Sequence, residues 1–225
     1  MTNVGFRILP LENRVSNEMI DEYREFVTPN ISDNMNRING VDASLRPIHT
    51  HGTMVGSAFT VKTRPGDNLM VHKAIDMAQP GDVIVVDAGG ELTNAIMGEI
   101  MVRIARKNGI EGFVINGAIR DSKEIREMNY PMYAKGVIHR GPYKDGPGEI
   151  NVPIQLGGVV VNPGDLVVAD MDGIVIVPFD HVGPIADKVR ITMEMEKNQM
   201  EQIEARTIDR TWVDEMLRKK GCEGV

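Results

Sequence analysis

The sequence predicts a single α/β domain, and two observations carry that prediction. Between residues 53 and 115, strand-like apolar runs alternate with helical stretches, the rhythm of a βαβ core. After Tyr130 the texture changes to short β-like runs separated by Pro-Gly turns, with no helical stretch until about residue 181.

Residues 17–27 read as a short amphipathic helix with Ser16 as its N-cap. Pro29 stops it, because a proline pushes the residue before it out of the helical region. Ile31 to Ile38 is a second helical stretch, ended by Asn39-Gly40. Thr53 to Thr63 is rich in β-branched residues and loosely alternating, which predicts a strand. Asn68 to Ala78 is helical and Gln79-Pro80-Gly81-Asp82 is a turn. Val83 to Val86 is a strand whose successive apolar residues need cover on both faces. Gly89-Gly90 opens a helix running to about Asn108, with Gly109 as its stop. Phe113 to Ile115 is the next strand.

The β half follows, with Pro131 to Ile138, Val159 to Val161, Leu166 to Ala169 and Ile174 to Val177. Residues 181–206 form a charged helix whose apolar side suits a neighbour. The chain thus reads as one domain over 1–225, with N-terminal helices at about 17–39 and a C-terminal helical extension at about 181–220. Gln79-Pro80-Gly81-Asp82 and Asn162-Pro163-Gly164-Asp165 each precede an apolar run ending in Asp, which predicts one turn chemistry used twice.

Composition narrows the function. A hydrophobic fraction of 42% and a charged fraction of 25% are those of an ordinary globular protein. A net charge of −7 without a basic stripe argues against nucleic acid as a partner. No apolar run approaches membrane-spanning length and no signal-peptide core opens the chain, so no membrane partner is expected and a cytoplasmic location is the default. The lone Cys222 leaves no intrachain disulfide and no thiolate pair for a metal. Aromatic residues make up 4%, too few for a stacking platform.

The most informative residues are Glu99, Arg120 and Asp121. Two carboxylates can hold a hard divalent cation through oxygen, and a guanidinium can grip a substrate carboxylate. Gly98 just before Glu99 is costly inside a helix, and a helix that restarts there would offer the amides of Ile100 and Met101 to an anion. Arg120 and Asp121 close an apolar run and must lie in the turn after it, where α/β folds place their sites. The competing reading has Arg120 paired with a surface acid and Asp121 capping a helix at Ser122-Lys123-Glu124-Ile125. His49-Thr50-His51 has the spacing of a zinc pair but no third ligand nearby, His72 sits on a helix beside Lys73 as a surface residue, and His139 opens a loop. Gly89-Gly90-Glu91-Leu92-Thr93-Asn94 fails the dinucleotide fingerprint, and no nucleophile elbow exists.

With these residues in view, the chain resembles the RraA-like family over about residues 30–200. The resemblance is carried by Pro65-Gly66-Asp67-Asn68, Pro80-Gly81-Asp82-Val83-Ile84-Val85-Val86-Asp87, Gly117-Ala118-Ile119-Arg120-Asp121, and Gly157-Gly158 through Pro163-Gly164-Asp165 to Asp172-Gly173. The family includes metal-dependent 4-hydroxy-4-methyl-2-oxoglutarate / 4-carboxy-4-hydroxy-2-oxoadipate aldolases and a branch of ribonuclease E inhibitors. The aldolase signature is an Asp, twenty residues, then Arg-Asp; here Glu99 replaces the first Asp.

The resemblance implies a β/β/α sandwich of the swivelling-domain type, assembled as a homotrimer or homohexamer. It implies that Asp121 binds Mg²⁺ or Mn²⁺ directly and that Glu99 acts through a metal-bound water. Arg120 would hold a small 2-oxo acid substrate, helped by the backbone of Gly98, Glu99, Ile100 and Met101. A neighbouring subunit would add Glu194 or Glu196. The activity implied is release of pyruvate from a 4-hydroxy-2-oxo acid, with oxaloacetate decarboxylation beside it. The alternative is a non-catalytic regulator of ribonuclease E, but that branch tends to lose the acids kept here at Glu99 and Asp121. A methyltransferase, a label such sequences have carried, finds no glycine-rich cofactor loop after Val85-Val86-Asp87.

Overall fold

The computed structural model describes residues 3–225. The chain runs through β1 (Phe6–Ile8), α1 (Asn17–Tyr23), α2 (Thr28–Asp33), β2 (Arg46–Pro47), β3 (Met54–Thr63), α3 (Leu69–Met77), β4 (Asp82–Asp87) and α4 (Glu99–Lys107). It continues through β5 (Gly112–Ile119), α5 (Ser122–Glu127), β6 (Met132–Val137), β7 (Gly148–Ile150), β8 (Ile154–Leu156) and β9 (Val159–Val161). β10 (Leu166–Ala169), β11 (Ile174–Val177), α6 (Val182–Glu204) and α7 (Thr211–Lys219) complete it.

Among the described residues the main sheet has the order β1-β7-β3-β4-β5-β6-β2, and β8 pairs with β9 in a separate hairpin. β3, β4, β5 and β6 lie parallel. β3 is the long hub: Met54 to Ser57 pair with β10, and Val61 to Thr63 pair with β7, while β4 takes its other edge.

The run Val83-Ile84-Val85-Val86 shows why two layers must cover this sheet. Ile84 and Val86 face α3, α4 and α5, in a core with Phe59, Val71, Val102 and Ile125. Val83 and Val85 face the opposite way, onto Ile154, Leu156, Val161, Val167 and Ile176. Strands cover one face and helices the other, which is the β/β/α sandwich expected. A third apolar cluster, with Tyr23, Ile31 and Phe26 against Val168, Val177, Ile185 and Val189, seats α1, α2 and the first half of α6. The hydroxyl of Tyr23 ties that layer by donating to the Val182 carbonyl at 2.8 Å.

The echoed Pro-Gly-Asp segments do share one turn. Gly81 and Gly164 adopt φ of 86° and 91°, and the amides of Asp82 and Asp165 donate back to Gln79 and Asn162 at 3.1 Å in both cases. Each Asp carboxylate also accepts from the first turn residue's amide, at 2.8 Å. Arg64-Pro65-Gly66-Asp67 repeats the pattern, with Gly66 at φ 75°. A positive φ at the third position is what a type II turn demands and what glycine supplies.

Two expectations are corrected. Pro29 does not end a helix but sits in the first turn of α2, where its missing N–H costs nothing; α2 stops at Asp33, before the left-handed Asn36 and Arg37. Residues 89–98 are not helical. Gly89 and Gly90 take left-handed conformations, and the amides of Ala95 and Ile96 donate to Arg140 and Ala118 at 2.8 and 2.7 Å. Those donors are spent on neighbouring segments, so the helix begins only at Glu99, with Gly98 as N-cap.

Candidate active site

The parallel strands β3 to β6 all deliver their C-terminal ends to one side, and the loops that follow them meet there. They supply residues 64–68, 88–98, 120–121 and 138–147. A cleft of about 120 Å³ lies among them, lined by Asn68, His72, Met97, Gly98, Ile100, Met101, Arg120, Asp121, Pro142 and Lys144. Carboxyl ends of parallel strands are the usual crevice for a ligand in such sheets.

Asp121 holds a left-handed backbone (φ 57°, ψ 38°), a conformation that Asp tolerates better than most residues. Its side chain does not cap α5. Instead Oδ2 accepts the amide of Glu99 at 3.0 Å. Gly98 makes that approach feasible, since a Cβ there would overlap Asp121 Oδ2 and stand 2.8 Å from Arg120 Cγ. The Arg120 amide donates to the Met97 carbonyl at 2.9 Å, fastening the two walls to each other. Arg120 Nε is 3.8 Å from Asp121 Oδ2, and its guanidinium lies against Gly141.

The helix α4 therefore points its N-terminus at the cleft. Gly98 offers it no side-chain cap, and the Glu99 amide is taken by Asp121. The amides of Ile100 and Met101 in the same first turn remain as donors for an anion. Asn68 packs against this turn: its Nδ2 donates to the Ile96 carbonyl at 2.8 Å and to Met101 Sδ at 3.3 Å, while its buried Oδ1 has no partner among the described residues.

The Glu99 carboxylate does not join this group. It accepts from Arg103 Nε at 2.7 Å, one turn along α4, and is not among the cleft-lining side chains. Glu196 is also occupied, accepting from Asn30 Nδ2 at 2.7 Å within the chain. Glu194 is exposed on α6.

The histidine pair is split. His49 is buried against Tyr133, its Nδ1 3.2 Å from both the amide and the carbonyl of Met132, whereas His51 turns outward to Thr50 and Asn129. His139 is exposed and outside the cleft. His72, which the sequence places on the surface, lines the cleft instead. Burial holds its imidazole below the ordinary value; the nearby Lys144 ammonium adds to that and Asp76 opposes it. Asn68, Pro142 and Lys144 are likewise cleft residues that sequence reasoning did not single out. The only signal for them was the Pro65-Gly66-Asp67-Asn68 turn and the proline-rich loop after β6.

For a metal, the fitting group is Asp121. Its side chain is 40% exposed, and its second oxygen, Oδ1, has no hydrogen-bond partner among the described residues. No group of three His, Cys, Asp or Glu side chains forms a cage among the described residues. That donor set suits Mg²⁺ or Mn²⁺, which accept one or two carboxylates and complete their shell with water and substrate oxygens. It does not suit a closed zinc site.

Comparison with known proteins identifies the family. A family model described as RraA-like, Aldolase/RraA, matches residues 28–176. A putative 4-hydroxy-4-methyl-2-oxoglutarate aldolase of Halalkalibacterium halodurans is 42% identical over 161 residues, spanning 72% of this chain and 77% of that protein. A 4-hydroxy-4-methyl-2-oxoglutarate aldolase of Thermus thermophilus is 38% identical over 112 residues, covering 50% of this chain and 68% of that one. The crystal structure of Streptomyces coelicolor RraAS2, described as an unusual member of the RNase ES inhibitor RraA protein family, superposes with a TM-score of 0.77. It is 27% identical and covers 84% of this chain and 98% of its own. By its matched residues and its fold, the chain belongs to the RraA-like family.

Proposed function

We propose that the protein is an aldolase that cleaves 4-hydroxy-4-methyl-2-oxoglutarate, or a related 4-hydroxy-2-oxo acid, to pyruvate with the aid of Mg²⁺ or Mn²⁺. The observation that carries this reading is the convergence of Arg120, Asp121 and the N-terminus of α4 on one small cleft. The relatives named as aldolases support it.

In this reading the Ile100 and Met101 amides bind the carboxylate of the 2-oxo acid end, and Arg120 lies beside its carbonyl oxygen. Asp121 would hold the cation, and Glu99, whose amide is bonded to Asp121, would order a water beside it once its carboxylate is released from Arg103. When bound, the cation polarises the 2-oxo group and supports the negative charge that develops there. The C4 hydroxyl gives its proton to a water ordered by Glu99, the C3–C4 bond breaks, and its electron pair passes into the C2–C3 unit to leave the enolate of pyruvate. The C4 oxygen becomes a carbonyl in the departing product. The same water returns the proton to C3, which completes pyruvate. Arg120 and the helix amides favour the charge as it forms, an effect worth several kcal/mol at a prearranged site. Loss of CO₂ from oxaloacetate passes through the same enolate, so decarboxylation is a second activity of this site.

The assembly proposed is a homotrimer or homohexamer. If a neighbour's C-terminal helix completes the site, Glu194 is the better donor, because Glu196 is tied to Asn30. The likeness to RraAS2 favours a second reading, a ribonuclease-binding regulator without turnover. A pyruvate-release assay with Mg²⁺ and with EDTA separates the two. No metal-dependent pyruvate from either the aldol substrate or oxaloacetate would sink the aldolase reading.

A further inference from the structure

On the sheet face that meets the β8–β9 hairpin, one row of side chains breaks the apolar pattern. Val85, Val114 and Tyr133 stand side by side across β4, β5 and β6 in the core beneath that hairpin. Two residues further on, where side chains return to the same face, the strands carry Asp87, Asn116 and Lys135. With Asp42 and Gln155 these three line a second cavity, of about 470 Å³, which shares no residue with the Arg120 cleft. Its far wall is the turn Gly157-Gly158, whose φ values of 49° and 89° are those a two-residue hairpin turn requires. The Asp42 amide donates to the Gly157 carbonyl at 3.0 Å, tying that wall to the loop before β2.

The charges in this cavity are not spent on one another. Asp87 Oδ1 accepts the Gly89 amide at 3.0 Å and Asn116 Nδ2 at 3.2 Å, while Oδ2 has no partner among the described residues. Asp42 accepts the Ser44 amide at 2.9 Å; Ser44 holds its carboxyl below the ordinary range, and the Lys135 charge adds to that. Lys135 makes no ion pair among the described residues, and its ammonium hangs over Gly90, 2.9 Å from where a Cβ would stand. Asn116, only 8% exposed, is on the strand between Asp87 and Lys135.

That composition discriminates among ligands. A phosphate would meet two carboxylates. A divalent cation would meet an ammonium, and no third acid, histidine or thiolate completes a cage among the described residues. A sugar would find no aromatic ring in the lining to lie on. A small molecule with an ammonium at one end and a carboxylate at the other satisfies both signs at once. We propose that this cavity is a second ligand site, for a free α-amino acid, with its ammonium held by Asp87 and Asp42 and its carboxylate by Lys135.

The test is a thermal-unfolding screen of the wild-type protein against the standard amino acids, followed by calorimetry on those that raise the unfolding temperature. At least one should bind. Its amide, which lacks the carboxylate, and its 2-hydroxy analogue, which lacks the ammonium, should each bind about tenfold more weakly, the scale of one charge-assisted contact. Lys135 is exposed, so Lys135→Met should unfold at the wild-type temperature without ligand. That variant should lose about tenfold in affinity for the amino acid without weakening the amide, and Lys135→Arg should restore it. Arg120→Ala should bind the amino acid as wild type does. The proposal is overturned if no amino acid binds, if the amide or the 2-hydroxy analogue binds as tightly as its parent, or if Lys135→Met leaves the affinity unchanged or weakens amino acid and amide equally. Loss of binding in Arg120→Ala would also overturn it, by placing the amino acid in the cleft.

Discussion

The amide of Glu99 donates to the carboxylate of Asp121 at 3.0 Å, across 22 residues of sequence. This one hydrogen bond joins the first turn of α4 to the turn after β5. It sets Asp121 at the positive end of a helix, where a carboxylate is favoured. Gly98, with no side chain, is what lets the two approach.

Gly98→Ala should therefore break the site while sparing the fold. The backbone at Gly98 is extended (φ −150°, ψ −165°), so alanine meets no conformational penalty there; its Cβ meets Asp121 and Arg120 instead. A displacement on the order of 1 Å at a catalytic group costs roughly 100-fold in rate. Pyruvate release should fall on that scale with an unchanged circular dichroism spectrum. A variant as active as wild type would show that the Gly98–Asp121 contact is unimportant.

Arg120→Ala should cost about 3 kcal/mol of transition-state stabilisation, the scale of removing a key charge-stabilising donor. Asp121→Ala should abolish the response to Mg²⁺ or Mn²⁺. Steady-state rates across a metal titration check both, and wild-type behaviour in the pair would place the chemistry elsewhere.

Glu99 stands where the resemblance implies an Asp, and Arg103 holds its carboxylate. Arg103→Ala should change stability by no more than about 0.5 kcal/mol, since exposed pairs of this kind contribute little. If Glu99 serves proton transfer, Glu99→Gln should lower kcat by about 100-fold. Glu99→Asp, which keeps the carboxylate, should keep most activity. Equal kcat in wild type and Glu99→Gln would remove Glu99 from the mechanism.

Asp67 predicts an acid limb in stability. Burial raises its pKa, but the amides of Leu69, Asp145 and Gly146 and the Arg64 guanidinium outweigh that and hold it below the ordinary carboxylate value. A depressed folded value means the contribution is complete above the unfolded pKa, about 3.9, and is lost as pH falls through the folded one. Asp67→Asn should lose about 1–3 kcal/mol at pH 7, the cost of mismatched buried partners. Below about pH 4 the difference between variant and wild type should shrink. Urea titrations at neutral and acid pH would read this, and a gap that widened in acid would contradict it.

How much of this was legible depended on what decided each segment. Val83 to Val86 declared itself, because only a strand covered on both faces suits such a run. The Pro-Gly-Asp turns did too, since the residues that need special backbone geometry are local to them. Residues 89–98 misled because Ala95, Ile96 and Met97 are apolar enough for a helix, yet their burial comes from β5 and the loop after β6. Arg120 and Asp121 stood out as a charged pair after an apolar run, and the structure puts both on the cleft. His72 looked like an ordinary surface residue on α3, because nothing local reveals that Lys144, 72 positions further on, shares its wall. The outward turn of Glu99 was equally hidden, being a choice between Arg103 and the cleft that spacing does not settle.

The cleft draws its walls from four separate returns of the chain, at residues 68–72, 97–101, 120–121 and 142–144. No stretch of sequence holds even a rudimentary version of it. Catalysis and global order should therefore vanish together: a urea curve read by turnover ought to overlay one read by ellipticity. Early loss of turnover would reveal a loop that loosens ahead of the sheet.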